Sequence, residues 1–288
     1  MKNIDLHIHT SYSDGLLSPA EVLALAAERK LDVISITDHD TLDGYRAASE
    51  FIGDFPCELI PGVEISTNYQ GADIHILAYD FNPLDKKLNS LLQTIQKGRF
   101  VRAQKIIQKL SFLGIGIDFR RVRKLAGNND LIGRPHIAQA LVEAGYCRDK
   151  QEAFDNLINN EGPAYCPKPT PSPKKIIKTV KKAGGIAVVA HPYTIKNDDL
   201  LREIITMGLS GLEVYYAKAN AETVNHYERI ALEYNLIRTG GSDFHGDELD
   251  LELFGRIPVP ELVLEEIKRR LNCQLPAASN QEKIWAME

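Results

Sequence analysis

The chain has 288 residues, 44% of them hydrophobic and 25% charged, the balance of an ordinary globular protein of one large domain or two smaller ones. Its formal net charge of -5 excludes a broad electrostatic pull toward nucleic acid or anionic lipid, so phosphate binding has to come from a local site. The cysteines Cys57, Cys147, Cys166 and Cys273 form no C-x-x-C pair, which argues against a zinc finger or disulfide framework and fits reduced thiols in a cytoplasmic protein.

Residues 4–8 read as a short buried strand, followed by a polar turn carrying Asp14 and Gly15. His7 and His9 are two residues apart, so in an extended strand both imidazoles point to one side and can converge on a metal ion. No secretory signal precedes this strand, and no apolar run reaches the length of a membrane span. Ser18, Pro19 and Glu21 mark a helix start: an N-cap, a proline at the first helical position and the glutamate of a capping box. Residues 32–37 form a buried strand running into Asp38, His39 and Asp40, and a helix follows over 43–52. Residues 58–65 read as strand material bent at Pro61 and Gly62, with Glu64 near its end, and 73–79 as a further strand carrying His75. Strands alternating with helices predict a largely parallel sheet with helices outside, its functional residues at the carboxyl ends of the strands.

Between residues 85 and 159 the pattern is helical and strand signals are sparse. This predicts a helical insertion over 99–165, between a first α/β part over 1–98 and a second over 166–272, with a weakly patterned tail over 273–288. The insertion ends in a proline-rich connector, stiff enough to hold a side chain at fixed reach. A basic helix to residue 182 follows, then a strand over 186–190 ending at His191. A helix near 199–207 leads to a strand over 211–216 with Glu213 inside it. A helix near 222–234 leads to a strand over 236–240, which runs into Asp243 and His245, and the last helix spans 260–271.

Six of the eight histidines (His7, His9, His39, His75, His191 and His245) fall at or just past strand ends, with Asp14, Glu64 and Asp243 in the same class of position. Nine nitrogen and oxygen ligands without a thiolate suit zinc, manganese or iron, and nine are too many for a single ion. Asp38 and Asp40 flank His39 and read either as groups that orient ligands or as ordinary turn aspartates.

The ordered motifs H-x-H-T-x-x-S-D-G (7–15), T-D-H (37–39), P-G-V-E (61–64), the strand histidine His75, A-H-P (190–192) and G-S-D-x-H (241–245) resemble those of the PHP (polymerase and histidinol phosphatase) family, over residues 3–80 and 165–270. The resemblance implies a distorted seven-stranded β/α barrel with a site for three divalent metal ions, manganese first, zinc or iron as alternatives. Carried over, it implies one ion on His7, His9, Glu64 and Asp243, a second on Glu64, His75 and His191, and a third on Asp14, His39 and His245. A metal-bridging water would be the nucleophile, with no protein nucleophile required.

Arg134 and His136 stand at a helix start within the insertion. From the residues alone, a surface arginine beside a capping histidine is the simpler account. The insertion and the connector with Lys168 resemble the PHP subgroup of 3′,5′-nucleoside bisphosphate phosphatases and short-RNA 5′ exonucleases, which implies that Arg134 and His136 hold the phosphate that is not hydrolysed. Lys168 is a weaker candidate for that task. Arg99 and Arg102 either line the same cleft as these residues or, more simply, are solvated helix residues, and Glu213 is either a further site carboxylate or, more simply, a hydrogen-bonded structural acid. The expected activity is removal of the 3′-phosphate of a nucleoside 3′,5′-bisphosphate, or stepwise action on 5′-phosphorylated short RNA. The alternatives are a phosphatase for histidinol phosphate or another small monoester, and a non-catalytic PHP module. The expected partner is a small nucleotide or short RNA, with no membrane and no obligate protein partner.

Overall fold

The structure is a computed structural model and describes residues 2–127 and 131–274. In a first sheet, β1 (Ile4–Ile8) lies parallel to β2 (Val33–Ile36), and β2 parallel to the two-residue β3 (Glu58–Leu59). A second sheet has the order β4 (Gly62–Tyr69), β5 (Ala72–Tyr79), β6 (Ile186–Val189), β7 (Gly211–Tyr216) and β8 (Ile237–Gly241). Every residue of β1, β2 and β6 is buried, as expected of strands enclosed on both faces.

The two sheets meet along two seams to make the expected distorted β/α barrel. At one seam Ile8 bridges Phe244, and the His9 amide donates to the Phe244 carbonyl at 2.8 Å. Gly241 permits this approach, because a Cβ there would lie 2.5 Å from the His7 nitrogen. At the other seam His39 bridges Glu64, the Glu64 amide donates to the Thr37 carbonyl at 3.0 Å, and the Asp40 amide donates to the Glu64 carbonyl at 2.8 Å.

Two features depart from the sequence expectation. The strand expected over 58–65 is two strands in different sheets, β3 and β4, so the described residues hold eight strands rather than seven. Pro61 has no amide hydrogen for a ladder. The sheet is also less parallel than expected, since β4 pairs antiparallel with β5, and β5 antiparallel with β6. The two-residue turn at Gln70 and Gly71, with φ of 51° and 85°, is too short for a parallel crossover and suits a tight hairpin.

On the outside run α1 (Pro19–Glu28) and α2 (Asp43–Phe51). Ser18 and Glu21 close the expected capping box on α1. Next comes α3 (Lys86–Phe112), an unbroken helix of 27 residues. Its buried stripe joins two cores. Leu88, Leu91, Leu92 and Ile95 pack in the barrel cluster, and Ala103, Ile106 and Leu110 in a second, helical cluster. Gly98 sits in the middle because Pro169 crosses there; a Cβ would lie 2.9 Å from the Pro169 carbonyl oxygen.

The helical cluster is completed by α4 (Phe119–Leu125), α5 (Arg134–Glu143) and α6 (Lys150–Ala153), the last continuing as a π-helical turn over Phe154–Ile158. The barrel then resumes with α7 (Pro173–Lys182), α8 (Asp198–Thr206) and α9 (Ala221–Glu233), followed by α10 (Glu248–Leu253), which the sequence reading did not anticipate, and α11 (Leu262–Gln274). Among the described residues no helix is long and apolar enough to cross a membrane. The expected tail lies, from residue 275 onward, outside the described residues.

The seam geometry makes Gly241→Ala a test of barrel closure. Overpacking against His7 is expected to cost about 1–3 kcal/mol, seen as a lower urea midpoint with an unchanged slope. Gly53→Ala, where nothing lies within 4 Å of the new Cβ, is the control. Equal stability of the two variants would refute the close-approach account.

Candidate metal centre

β1 places His7 and His9 on one side, both fully buried, with ring centroids 5.1 Å apart. His7 Nδ1 lies 2.8 Å from Glu213 Oε1. A carboxylate accepts there, so Nδ1 carries the proton and the lone pair of Nε2 points inward. That nitrogen is 3.1 Å from His9 Nε2, 3.3 Å from Asp243 Oδ1 and 3.5 Å from Glu64 Oε2.

The same logic repeats at three more histidines. Ser13 Oγ donates to Asp38 Oδ1 at 2.6 Å, which leaves its lone pair facing His9 Nδ1 at 3.4 Å. Thr194 Oγ1 donates to the His191 carbonyl at 3.0 Å and lies 3.3 Å from His191 Nδ1. His245 Nδ1 meets the Asp243 carbonyl at 2.8 Å. In each case the Nδ1 proton has an acceptor, and Nε2 is left bare toward a carboxylate. These tautomers follow from the hydrogen-bond network.

Glu64 sits at the middle, fully buried. Its Oε1 is 2.9 Å from His75 Nδ1 and 3.0 Å from His191 Nε2, and its Oε2 is 2.9 Å from His39 Nδ1. Burial alone would raise its pKa, but His39, His75 and His7 outweigh that and hold the carboxyl well below the usual range. Asp14 reaches His245 Nε2 at 3.5 Å and His39 Nε2 at 3.7 Å. Asp243 Oδ2 accepts from the Tyr216 hydroxyl at 2.8 Å, which leaves Oδ1 for the histidines. Burial pushes the His75 imidazole down to about 4, so it stands neutral. At His9, burial is outweighed by hydrogen bonds that the ring donates to Asp243 and Glu64, which lift it to about 10. The carboxylates therefore call for positive charge between the rings.

The donor set meets the requirements of divalent cations. Asp14 Oδ1, His39 Nδ1, Glu64 Oε2 and His75 Nδ1 are buried without any hydrogen-bond partner, which for a folded interior needs an explanation such as an ion. Three groups bring ligand atoms within 4.8 Å of one another: His9, Asp14, His39 and His245; His7, His9 and Asp243; and His39, Glu64 and His75. His9 and His39 belong to two groups each, and His191 joins through Glu64. All nine ligands expected from the sequence thus lie in one connected cluster. Backbone strain accompanies it: Asp40, His191 and Asp243 have φ of 57°, 28° and 55°, conformations that persist for such residues only where the surroundings enforce them.

The two flanking aspartates diverge. Asp38 accepts from the Thr10 amide and hydroxyl, both at 2.7 Å, and reaches His9 through Ser13. Asp40 instead accepts from the Ser66 amide at 2.7 Å and from Arg99 Nε at 2.5 Å. Arg99 and Arg102, expected to be solvated, are 7% and 6% exposed. They occupy the apolar stripe of α3, at the spacing of Leu88, Leu92, Ile95, Ala103 and Ile106, and that spacing was the overlooked signal.

Arg102 Nε donates to the Cys166 carbonyl at 2.7 Å, but its buried Nη2 has no partner. Arg134 is no free surface residue, since it donates to Asp73 at 3.0 Å and to Asn160 at 2.9 Å. His136 Nδ1 caps its own helix by accepting from the Gly133 amide at 3.0 Å, and the ring lines a small cleft with Ser13, Asp14, His39 and Arg99. Lys168 is half-buried. Burial and the neighbouring Arg99 push its ammonium down to about 7, against the pull of Asp40 and Asp73.

Sequence reasoning also undervalued Glu213, which orients two candidate ligands at once: His7 through its ring and His191 through its amide, at 2.6 Å. Asp5, fully buried, fastens the loop bearing Asp243 by accepting from the Ser242 amide at 2.9 Å. A buried acid inside a strand was the available signal for both.

Comparison with known proteins points the same way. The family described as PHP domain matches residues 5–159. A 5′-3′ exoribonuclease of Haemophilus influenzae is 33% identical over 249 residues, covering 85% of this chain and 90% of that protein. A 3′,5′-nucleoside bisphosphate phosphatase of Chromobacterium violaceum is 30% identical, covering 85% of this chain and 88% of its own length. A crystal structure from Bifidobacterium adolescentis, described as a metal-dependent phosphoesterase, superposes with a TM-score of 0.83 at 30% identity, covering 96% of this chain and 98% of that one.

Glu213→Gln tests the orienting role. A glutamine has one acceptor oxygen for the two donors that Glu213 serves. Affinity for a divalent metal, titrated into chelator-treated protein, is expected to fall about 10–100-fold while the circular dichroism spectrum stays unchanged. An unaltered affinity would count against it.

Proposed function

The chain belongs to the PHP domain family, and from that premise we propose that it hydrolyses the 3′-phosphate of nucleoside 3′,5′-bisphosphates and, by the same chemistry, trims 5′-phosphorylated short RNA one nucleotide at a time. It is a metal-dependent phosphoesterase; the choice of substrate is our reading.

The observation that carries it is a second cluster of positive charge beside the metal ligands. Arg99, Arg102, Arg134 and Lys168 act on one another, with the carboxylates Asp40 and Asp73 among them. Two arginines are buried there, one with an unpartnered Nη2. Such a cluster fits a phosphate dianion that is bound and not cleaved. A substrate with one phosphate at the metal ligands and another here would match both features.

The nine ligands are read as holding three divalent ions: His7, His9, Glu64 and Asp243 one, Glu64, His75 and His191 a second, Asp14, His39 and His245 a third. Manganese is the first expectation and zinc or iron the alternatives, because the donors are imidazoles and carboxylates without a thiolate. Bound there, divalent ions supply an acidified water for attack on phosphorus and charge to offset the phosphoryl oxygens. The chain's own part is positioning. Glu213, Ser13 and Thr194 fix the histidine tautomers, Tyr216 fixes Asp243, and the rigid barrel ends hold the set in register. His136, neutral because burial lowers its pKa and with Nδ1 occupied as an acceptor, has its Nε2 proton to offer a phosphate oxygen. Arg134 and Lys168, with Arg102, would hold the retained phosphate, and the helical unit over 99–165 would form the roof that brings them there.

Phosphate release from adenosine 3′,5′-bisphosphate, AMP and histidinol phosphate with added manganese tests the reading. The bisphosphate is expected to be strongly preferred, and equal rates on all three would overturn it. Arg102→Ala and Arg134→Ala are each expected to raise KM for the bisphosphate about 10–100-fold, the loss of a charged hydrogen bond, and to leave a small generic ester within about threefold.

Lys168 adds a pH dependence. Its ammonium is charged below about 7 and neutral above, so kcat/KM for the bisphosphate should decline as pH rises through that range. Lys168→Arg, charged throughout, should flatten the decline. A profile unchanged by the substitution would remove Lys168 from the anchor.

A further inference from the structure

One side of the barrel carries a dense basic surface that the site does not use. Two grooves flank α7. Lys174, Lys178, Lys181 and Lys182 line one of them, over a floor of Ile177 and Met207. Lys86 and Lys87 of α3 face Lys175 of α7 across the other, with Ser90, Leu91 and Thr94 between. Six of these seven lysines are exposed and Lys181 is partly so. None forms an ion pair with a carboxylate among the described residues, and no acid lines either groove. In a chain of net charge -5, such segregation is a local positive field.

One groove touches the strand that carries Glu64. Pro171 lines the α3–α7 groove, and its carbonyl accepts from the Thr67 hydroxyl at 2.6 Å. Thr67 is three residues along β4 from Glu64, about 10 Å in an extended strand, with its side chain on the opposite face of the sheet. The Ser90 hydroxyl adds a polar group along the groove, while the Thr94 and Thr179 hydroxyls donate to carbonyls of their own helices, and the apolar floors leave room for sugars or bases between charges.

We propose that the lysine face of α7, with Lys86 and Lys87, is a docking surface for the phosphate backbone of single-stranded RNA beyond the nucleotide held at the metal ligands. The occupant follows from charge complementarity, seven lysines without a paired carboxylate among the described residues, and from the contact of one groove with the strand that bears Glu64. This assignment rests on the nucleotide reading above and extends it from mononucleotides to strands. The contacts are to phosphates rather than bases, so the surface is indifferent to sequence. Such a track would favour oligonucleotides over single nucleotides and would lose its effect in high salt.

The test uses the full chain and the triple variant Lys174→Ala, Lys175→Ala and Lys178→Ala, in which alanine preserves the helix. For a 5′-phosphorylated RNA ten-mer, KM is expected to rise about tenfold or more at low salt. The salt dependence of log KM should become shallower by about 2, at roughly 0.7 per lost phosphate contact on a single strand. KM for adenosine 3′,5′-bisphosphate should stay within about twofold. A ten-mer KM unchanged by the substitutions overturns the proposal. So does lysine-dependent binding to vesicles of phosphatidylglycerol with RNA kinetics unaltered, which would assign the face to a lipid surface. Fluorescence anisotropy of the labelled ten-mer in EDTA separates the two readings, since it needs no turnover. Lysine-dependent binding by a protein that hydrolyses no nucleotide supports the surface and refutes the activity. Lysine-independent binding by an active enzyme does the reverse.

Discussion

The Glu64 carboxylate is the constraint around which the barrel is arranged. It is fully buried and within about 3 Å of three imidazoles. A lone carboxylate in that position would be strongly destabilising, so its surroundings are committed to supplying positive charge. Its backbone also joins the two sheets, through the bridge to His39. Chemistry and closure therefore meet in one residue. The second seam repeats the arrangement, with the bridge from Ile8 to Phe244 lying between His7 and His9 on one strand and Asp243 and His245 on the other. A disturbance of the sheet contact there is also a disturbance of the ligand set.

Much of this was legible in the sequence because the signals were of two simple kinds. Period-2 spacing puts His7 with His9 on one face, and short apolar runs ending in His39, His191 or Asp243 mark strand ends in an α/β pattern. Both depend only on local geometry. The residues that were misjudged depend on long-range packing. Glu213 looks like any acid inside a strand until His7, 206 positions away, is seen against it. Ser13 matters because it stands between Asp38 and His9. For Arg99 and Arg102 solvation is the simpler expectation, because the charged face of a helix is the usual place for arginine. In α3 they lie on the buried stripe, which crosses from one core to another. The β4–β5 hairpin was missed for a different reason: Tyr69, Gln70, Gly71 and Ala72 give weak strand signals, and their pairing comes from the turn.

Two charge systems with opposite logic lie side by side. At the metal ligands, buried carboxylates press protons onto imidazoles, as the raised pKa of His9 shows. A few residues away, burial first and neighbouring positive charges second lower the affinity of Arg102 and Lys168 for protons. Each system is unsatisfied alone, and the carboxylates that answer the basic group are Asp40, paired with Arg99, and Asp73, paired with Arg134. A ligand bearing two anionic groups, with cations under one of them, relieves both. Specificity for spacing between those groups then comes from the rigidity of the elements carrying them rather than from any single contact.

The unbroken course of α3 carries a consequence for how this architecture tolerates change in length. At 1.5 Å per residue its 27 residues form a rod of about 40 Å, rooted by Leu88 and Ile95 in one core and by Ile106 and Leu110 in the other. Gain or loss of one residue between those anchors turns everything beyond it by about 100°. Arg99 and Arg102 would swing off the buried face, and the helical cluster would rotate with them. The helix thus acts as an indexing shaft whose phase, more than its composition, is under constraint. Within this rod only a change close to whole turns preserves the angle at which the helical cluster meets the barrel.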